Sequence, residues 1–119
     1  VYDDENIFAK ILRNEIPHKC VYDDKHALAF EDINPQAPIH VLVIPKGKYI
    51  SLDDFTKLAS DLEVSGFFRA VGTTARKLEI DRPGYRILAN KGDYGGQEVP
   101  HFHVHIFGGK RLGPMIISE

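Results

Sequence analysis

The sequence holds a single cysteine, Cys20, among its 119 residues. One thiol cannot close an internal disulfide, so the fold must rest on its own core, and a reducing, cytoplasmic setting is expected. Excess charge is missing as well. Fifteen Lys and Arg against 17 Asp and Glu leave a formal net charge of −2, which gives no electrostatic footprint for nucleic acid or for an anionic membrane. No run approaches the ~20 apolar residues of a membrane-spanning helix. No basic stretch followed by an apolar run opens the chain in the manner of a secretory leader. Linkers rich in Pro, Gly or Ser, charge runs and internal repeats are also lacking. Residues 1–119 therefore read as one domain, with 109–119 as a C-terminal tail. A chain of this length can bury a core without staples.

What is present falls into short, recognisable elements. Ile7, Phe8, Ile11 and Leu12 lie on one face of a 3.6-residue period, which predicts a helix that Pro17 stops. Residues 20–22, 27–31 and 39–45 read as strands with short connections, hence antiparallel neighbours. Ser51 with Asp54, and Ser60 with Glu63, each form a capping-box pattern. They predict a short helix near 52–58 and a longer one near 61–79, whose apolar side is Leu62, Phe67, Val71, Ala75 and Leu78. Gly66 and Gly72 within the longer helix hint at close helix–helix contact. A strand follows at 85–90, then a glycine-rich loop at 91–97 and a last strand from His101 to Phe107. Strands cluster rather than alternate with helices, which predicts an α+β domain with an antiparallel sheet. Cys20 is expected to be a small buried hydrophobe.

Six histidines stand in the chain, and three of them, His101, His103 and His105, alternate with Phe102, Val104 and Ile106. On a strand, successive side chains point to opposite faces. The apolar residues then enter a core while the imidazoles line up on the other side. Three readings fit such a row: polar residues on a wet sheet face, a zinc site with His-x-His spacing, or covalent and acid–base catalysis by imidazoles that titrate near neutrality. Gly95-Gly96-Gln97-Glu98-Val99, just upstream, favours the third, because glycines let backbone N–H groups approach an anion closely. His18 and His26 read as surface residues.

The run His101-Phe102-His103-Val104-His105-Ile106-Phe107 matches the signature His-φ-His-φ-His-φ-φ and resembles the histidine triad superfamily of nucleotide hydrolases and transferases. The chain is similar to its Hint branch at several further places: Ile7 to Ile11, Glu15-Ile16-Pro17, Phe30 to Pro38, His40 to Pro45, Gly95 to Val99, and Gly108-Gly109. Leu112-Gly113-Pro114-Met115 looks like the tail of bacterial members.

The resemblance implies a five-stranded antiparallel sheet with one long and one or two short helices, two such sheets joining across a homodimer. It implies cleavage of the P–N bond of purine nucleoside phosphoramidates of the AMP-amine type, with no cofactor required and any bound zinc not catalytic. By the same resemblance His103 matches the nucleophile that forms a nucleotidyl-histidine intermediate. His105 matches a residue near the α-phosphate and the leaving group, and His101 and His40 match supporting histidines. Asp32 matches the carboxylate that receives the ribose hydroxyls, with Ile33 beside it. Phe8, Ile11 and Phe30 match the base pocket, and Asn90, Gly96, Gln97 and Val99 the surroundings of the phosphate and leaving group. Glu98 stands where eukaryotic members usually carry Ser, and Pro100 where Tyr is common. The Met115-Ile116-Ile117 tail is expected to pack on the dimer near the partner's active site. A diadenosine polyphosphate hydrolase and an AMP-binding regulatory or scaffold protein are the alternatives; Gly108-Gly109 disfavours the first.

Overall fold

In the computed structural model, which describes residues 1–117, five antiparallel strands form one sheet in the order β1-β2-β3-β5-β4. The strands are β1 (Cys20–Asp23), β2 (Ala27–Glu31), β3 (Ile39–Pro45), β4 (Arg86–Leu88) and β5 (Val104–Gly108). The helices are α1 (Ile7–Leu12), α2 (Leu52–Leu58), α3 (Asp61–Lys77) and a single turn, α4 (Gly92–Gly95). The expected α+β architecture is present. It has three short helices rather than one or two, because the glycine-rich loop coils into α4 and Gly96 closes that turn at φ +77°. No helix among the described residues is long and apolar enough to cross a membrane.

Local chemistry accounts for the helix ends. Ser51 with Asp54 and Ser60 with Glu63 form both capping boxes the sequence predicts, each satisfying two orphan backbone donors. Helix α1 is capped by Asn6, whose side chain accepts from the Ala9 N–H at 2.9 Å. Pro17 does not stop it. Asn14 does, by adopting φ +60° and donating to the Ile11 carbonyl while Glu15 donates to that of Lys10. This is the Schellman arrangement that an asparagine tolerates in place of glycine.

Helix α3 packs on one face of the sheet. Its buried side is Phe67, Ala70, Val71, Thr74 and Ala75. Leu62 is exposed, contrary to the sequence reading. With Phe55, Phe102 and the strand residues Ala27, Ala29, Val41, Val43, Val104 and Ile106, this side makes the main core. Gly66 serves a contact within the chain: a Cβ there would run into the His26 ring. His26 and His18 are half-buried, and His18 stands edge-on to Phe30 at 6.0 Å between centroids. Cys20 is exposed, not buried, because β1 is an edge strand. A second cluster on the opposite sheet face comprises Phe8, Ile11, Leu28, Phe30, Leu42 and Ile44.

The histidine strand is shorter than the alternation predicts. The β5 ladder begins at Val104, where Val104 pairs with Val43 and His105 with Leu42. Residues 101–103 approach it outside the ladder, anchored by the Phe102 N–H on the Tyr49 carbonyl at 2.8 Å. The alternation itself survives: Phe102, Val104 and Ile106 enter the α3 core. Pro100 is exposed and also outside the ladder, so its missing N–H removes no pairing.

Candidate active site

Four of the six histidines converge on the α1 face of the sheet. His101 is fully buried, His40 and His103 nearly so, and His105 is half-buried. The His103 and His105 ring centroids are 5.1 Å apart, and those of His40 and His105 5.2 Å. Position 40 joins the triad because β3 is the central neighbour of β5.

Main-chain groups, which do not titrate, decide which ring nitrogen carries the proton in His103, His101 and His40, and His40 in turn decides it for His105. His103 Nδ1 lies 2.7 Å from the His101 carbonyl, so it must be N–H; the neutral ring then keeps its lone pair on Nε2. His101 Nε2 donates to the Pro45 carbonyl at 3.0 Å, leaving Nδ1 to accept from the Tyr2 hydroxyl at 2.6 Å. His40 Nδ1 accepts from the Gln36 N–H at 3.1 Å. Its proton is therefore on Nε2, 2.9 Å from His105 Nδ1 and 3.4 Å from Asp32 Oδ2. His105 Nδ1 accepts, so its own proton is on Nε2. Of the four rings, His103 alone offers an unprotonated Nε2.

Burial also drives all four rings toward the neutral form. Burial pushes His101 to about 4, against the bond to Pro45 that favours the charged form. Burial, followed by the neighbouring His103 and His40, brings His105 to about 4. Burial lowers His40 and His103 too, opposed at His40 by Asp32, and at His103 by the His101 carbonyl, Asp32 and Glu98. A neutral imidazole with a free nitrogen is a nucleophile; a protonated one is not.

The remaining expected residues are placed as follows. Asp32 follows β2, its Oδ1 held by the Asn34 N–H at 2.8 Å and its Oδ2 facing His40. Ile33 stands 91% exposed and packs on nothing in the single chain. Phe8 meets His103 edge-on at 5.0 Å and Phe30 at 5.5 Å. Phe8, Ile11 and Phe30 are thus brought to the histidines, but buried in the second cluster with Val99 against it. Gln97 is a brace rather than a free polar group. Its amide accepts from the Gly92 N–H and donates to the Ile50 and Val99 carbonyls, while its own N–H goes to Gly92. The Gly96 N–H is taken by Asp93. Among the described residues, the N–H groups of Glu98 and Val99 have no protein acceptor. Asn90 is half-buried and Glu98 exposed.

Sequence reasoning missed Tyr2, the Gln36 N–H and Phe107. Phe107 stacks on His105 at 5.6 Å with 3° between planes and lies 4.2 Å from His40. Its parity with the histidines would have found it. Asp32, His40 and His105 present ligand atoms within 4.8 Å of one another. A divalent ion there would have to replace the proton on His40 Nε2. Neither of two surface depressions contains His101, His103 or His105. One, of about 260 Å³, lies between Pro83–Arg86 and Lys110–Leu112, and the other, of about 200 Å³, runs beside Asp32 and His40.

Among known proteins, the chain matches the HIT domain family over residues 13–112. It is 60% identical over 115 residues to an uncharacterised 13.2 kDa HIT-like protein of Azospirillum brasilense, spanning 97% of this chain and 94% of that one. It is 42% identical over 117 residues to the purine nucleoside phosphoramidase of Escherichia coli strain K12, spanning 98% and 97%. A solved histidine triad protein from Clostridium difficile superposes with a TM-score of 0.85 at 41% identity, covering 98% of this chain and 100% of that one.

Proposed function

The chain belongs to the HIT domain family and shares its α+β fold, and from that premise we propose that it hydrolyses the P–N bond of purine nucleoside phosphoramidates of the AMP-amine type. The unprotonated Nε2 of His103 carries the proposal, because three main-chain hydrogen bonds leave that nitrogen alone among the four rings able to attack. The E. coli relative's activity supports the substrate class.

In the proposed reaction, His103 Nε2 attacks the α-phosphorus in line. A bond forms from nitrogen to phosphorus as the bond to the leaving nitrogen breaks. The leaving group departs as a neutral amine only if it gains a proton. That proton comes from solvent, which the half-buried His105 reaches: protonated transiently, the ring gives its Nε2–H to the leaving nitrogen and returns to the neutral form. The Glu98 and Val99 N–H groups take the charge on the phosphoryl oxygens. Asp32 Oδ2 receives the ribose hydroxyls, and Phe8, Ile11 and Phe30 receive the base once the second cluster yields to it. Water then displaces His103 from phosphorus and AMP leaves. Two displacements at a neutral imidazole replace one by a poorly activated water. No metal enters these steps, so a chelator is expected to leave turnover unchanged.

The proposal includes a homodimer. The edge strands β1 and β4 end the sheet on each side with unpaired backbone groups, and Tyr85 and Ile87 are exposed at the β4 edge. Met115, Ile116 and Ile117 are each more than four-fifths exposed. They are proposed to pack on the partner; residues 118–119 of this tail lie outside the described residues.

The deciding experiment is a base quench of the protein during turnover of an AMP-amine conjugate, followed by peptide mass spectrometry. An adenylyl group on the peptide bearing His103 is expected. Turnover without that adduct, or the adduct on another histidine, sinks the nucleophile assignment. Tight AMP binding with no turnover favours a regulatory binding protein instead.

A further inference from the structure

Tyr2 lies 99 positions from His101 in sequence, yet its hydroxyl is 2.6 Å from His101 Nδ1. The phenol ring also stands edge-on to the imidazole, with centroids 5.7 Å apart. His101 has no exposed surface, so no solvent reaches its Nδ1 in place of Tyr2. Its other nitrogen is committed to the Pro45 carbonyl. The segment that presents Tyr2 is itself tied down. Asn6 donates to the Asp3 carbonyl from both its backbone and its side chain, at 3.2 and 2.7 Å. Asp4 pairs with Lys48 at 2.8 Å.

We propose that Tyr2 is a positioning residue for the reaction: by donating to the Nδ1 that the Pro45 bond leaves unprotonated on His101, it holds that ring in one orientation, and so fixes the carbonyl that takes the Nδ1–H of His103. The bonds run in series. Tyr2 O–H gives to His101 Nδ1, His101 Nε2–H gives to Pro45, and His103 Nδ1–H gives to the His101 carbonyl. Without the first, a fully buried acceptor is left unpaired, a state proteins avoid. The His101 ring can regain a partner only by flipping or by admitting water. Either moves the residue on which the nucleophile's tautomer depends. Tyr2 acts through His101 and touches no reacting atom. The inference rests on the proposed role of His103.

The test is Tyr2→Phe, which keeps the aromatic ring and its edge contact and removes one oxygen. A roughly tenfold fall in kcat with KM changed less than about twofold is expected, the scale of one hydrogen bond acting on the chemical step rather than on binding. In protein labelled with 15N-histidine, the His101 Nδ1 resonance is expected to shift and the His103 Nδ1–H proton to exchange faster. A merely structural Tyr2 would lower the melting temperature and leave kcat and the exchange of the His103 Nδ1–H unchanged. Fluorotyrosines of rising acidity at position 2 keep the hydroxyl and serve even where the phenylalanine variant folds poorly. They should retain kcat within about twofold and move the His101 Nδ1 resonance in step with their acidity. Parental kcat in Tyr2→Phe, or unmoved histidine resonances in either series, overturns the inference. A parent chain that turns over no phosphoramidate sinks the proposed function instead, and the His103 Nδ1–H exchange still decides whether Tyr2 positions His101.

Discussion

Toward α3 the sheet presents Ala27, Ala29, Val41, Val43, Val104 and Ile106, and Phe55, Phe67 and Phe102 fill the space between. Toward α1 the same strands present Leu28, Phe30, Leu42 and Ile44, and then His40 and His105. The first face is held by dispersion and burial, which are non-directional and tolerate swaps that conserve volume. The second is held at its histidine end by hydrogen bonds, each of which fixes one nitrogen of one ring. No described buried side-chain nitrogen or oxygen is left without a partner. One pleated scaffold thus separates stability from chemistry by residue parity alone, and each face should fail in its own way.

The largest expected contrast sets His103→Ala against Phe55→Ala. The first should lower turnover of an AMP-amine conjugate by roughly 10³-fold or more while nucleotide binding, read by calorimetry, largely survives. The second removes a ring with no exposed surface, stacked on Phe102 and edge-on to Phe67. It should lower the free energy of urea unfolding by about 3–5 kcal/mol and leave kcat per folded molecule within about twofold. If both variants lost stability and activity together, the division between the faces would not hold.

Acid should strike the histidine face first. His101 and His105 are held at about 4 by burial, whereas an unfolded imidazole titrates near 6.5. Between those values the unfolded chain binds protons that the folded chain refuses. Stability is therefore full above pH ~6.5 and is lost as pH falls toward 4. The buried His101 accounts for on the order of 3 kcal/mol of that loss; His105, partly open to solvent, accounts for less. Urea midpoints at pH 7.5 and 5 read the part of that loss that falls above pH 5, and equal midpoints would contradict the lowered His101 and His105. The lowered His103 also keeps the nucleophile uncharged below the ordinary histidine range, so the acid limb of kcat should lie below pH 6.5.

The smallest contrast compares two helix caps. Asn6→Ala and Ser51→Ala each delete an N-cap and should each lose about 1 kcal/mol. Asn6 caps the helix that carries Phe8 against His103, so it should also lower kcat. Ser51 caps a helix whose buried residue, Phe55, belongs to the other face, and should not.

Much of this was legible in the chain because it is encoded locally. A period of two sent Phe102, Val104 and Ile106 into the core wherever the strand was to begin, and two capping boxes marked the starts of α2 and α3. Errors arose where a distant partner or a rarer local device prevailed. Asn14 ended α1 before Pro17 could, and Cys20 lay exposed on an edge strand. The main-chain partners that brace the Gln97 amide, Ile50, Val99 and Gly92, could not be read from the chain either, because Ile50 lies 47 positions away.

Which side chains share a face was set along the chain alone, since parity along a strand is a property of the backbone and needs no neighbour. Which nitrogen of each imidazole carries the proton was decided by the Gln36 N–H at His40, the Pro45 carbonyl at His101, the His101 carbonyl at His103 and His40 at His105. The Pro45 carbonyl and His40 lie 56 and 65 positions from the rings they meet, and they reach them only once β3 and β5 have packed together. A tautomer is set by what each nitrogen meets in space, and here what they meet is supplied by the fold.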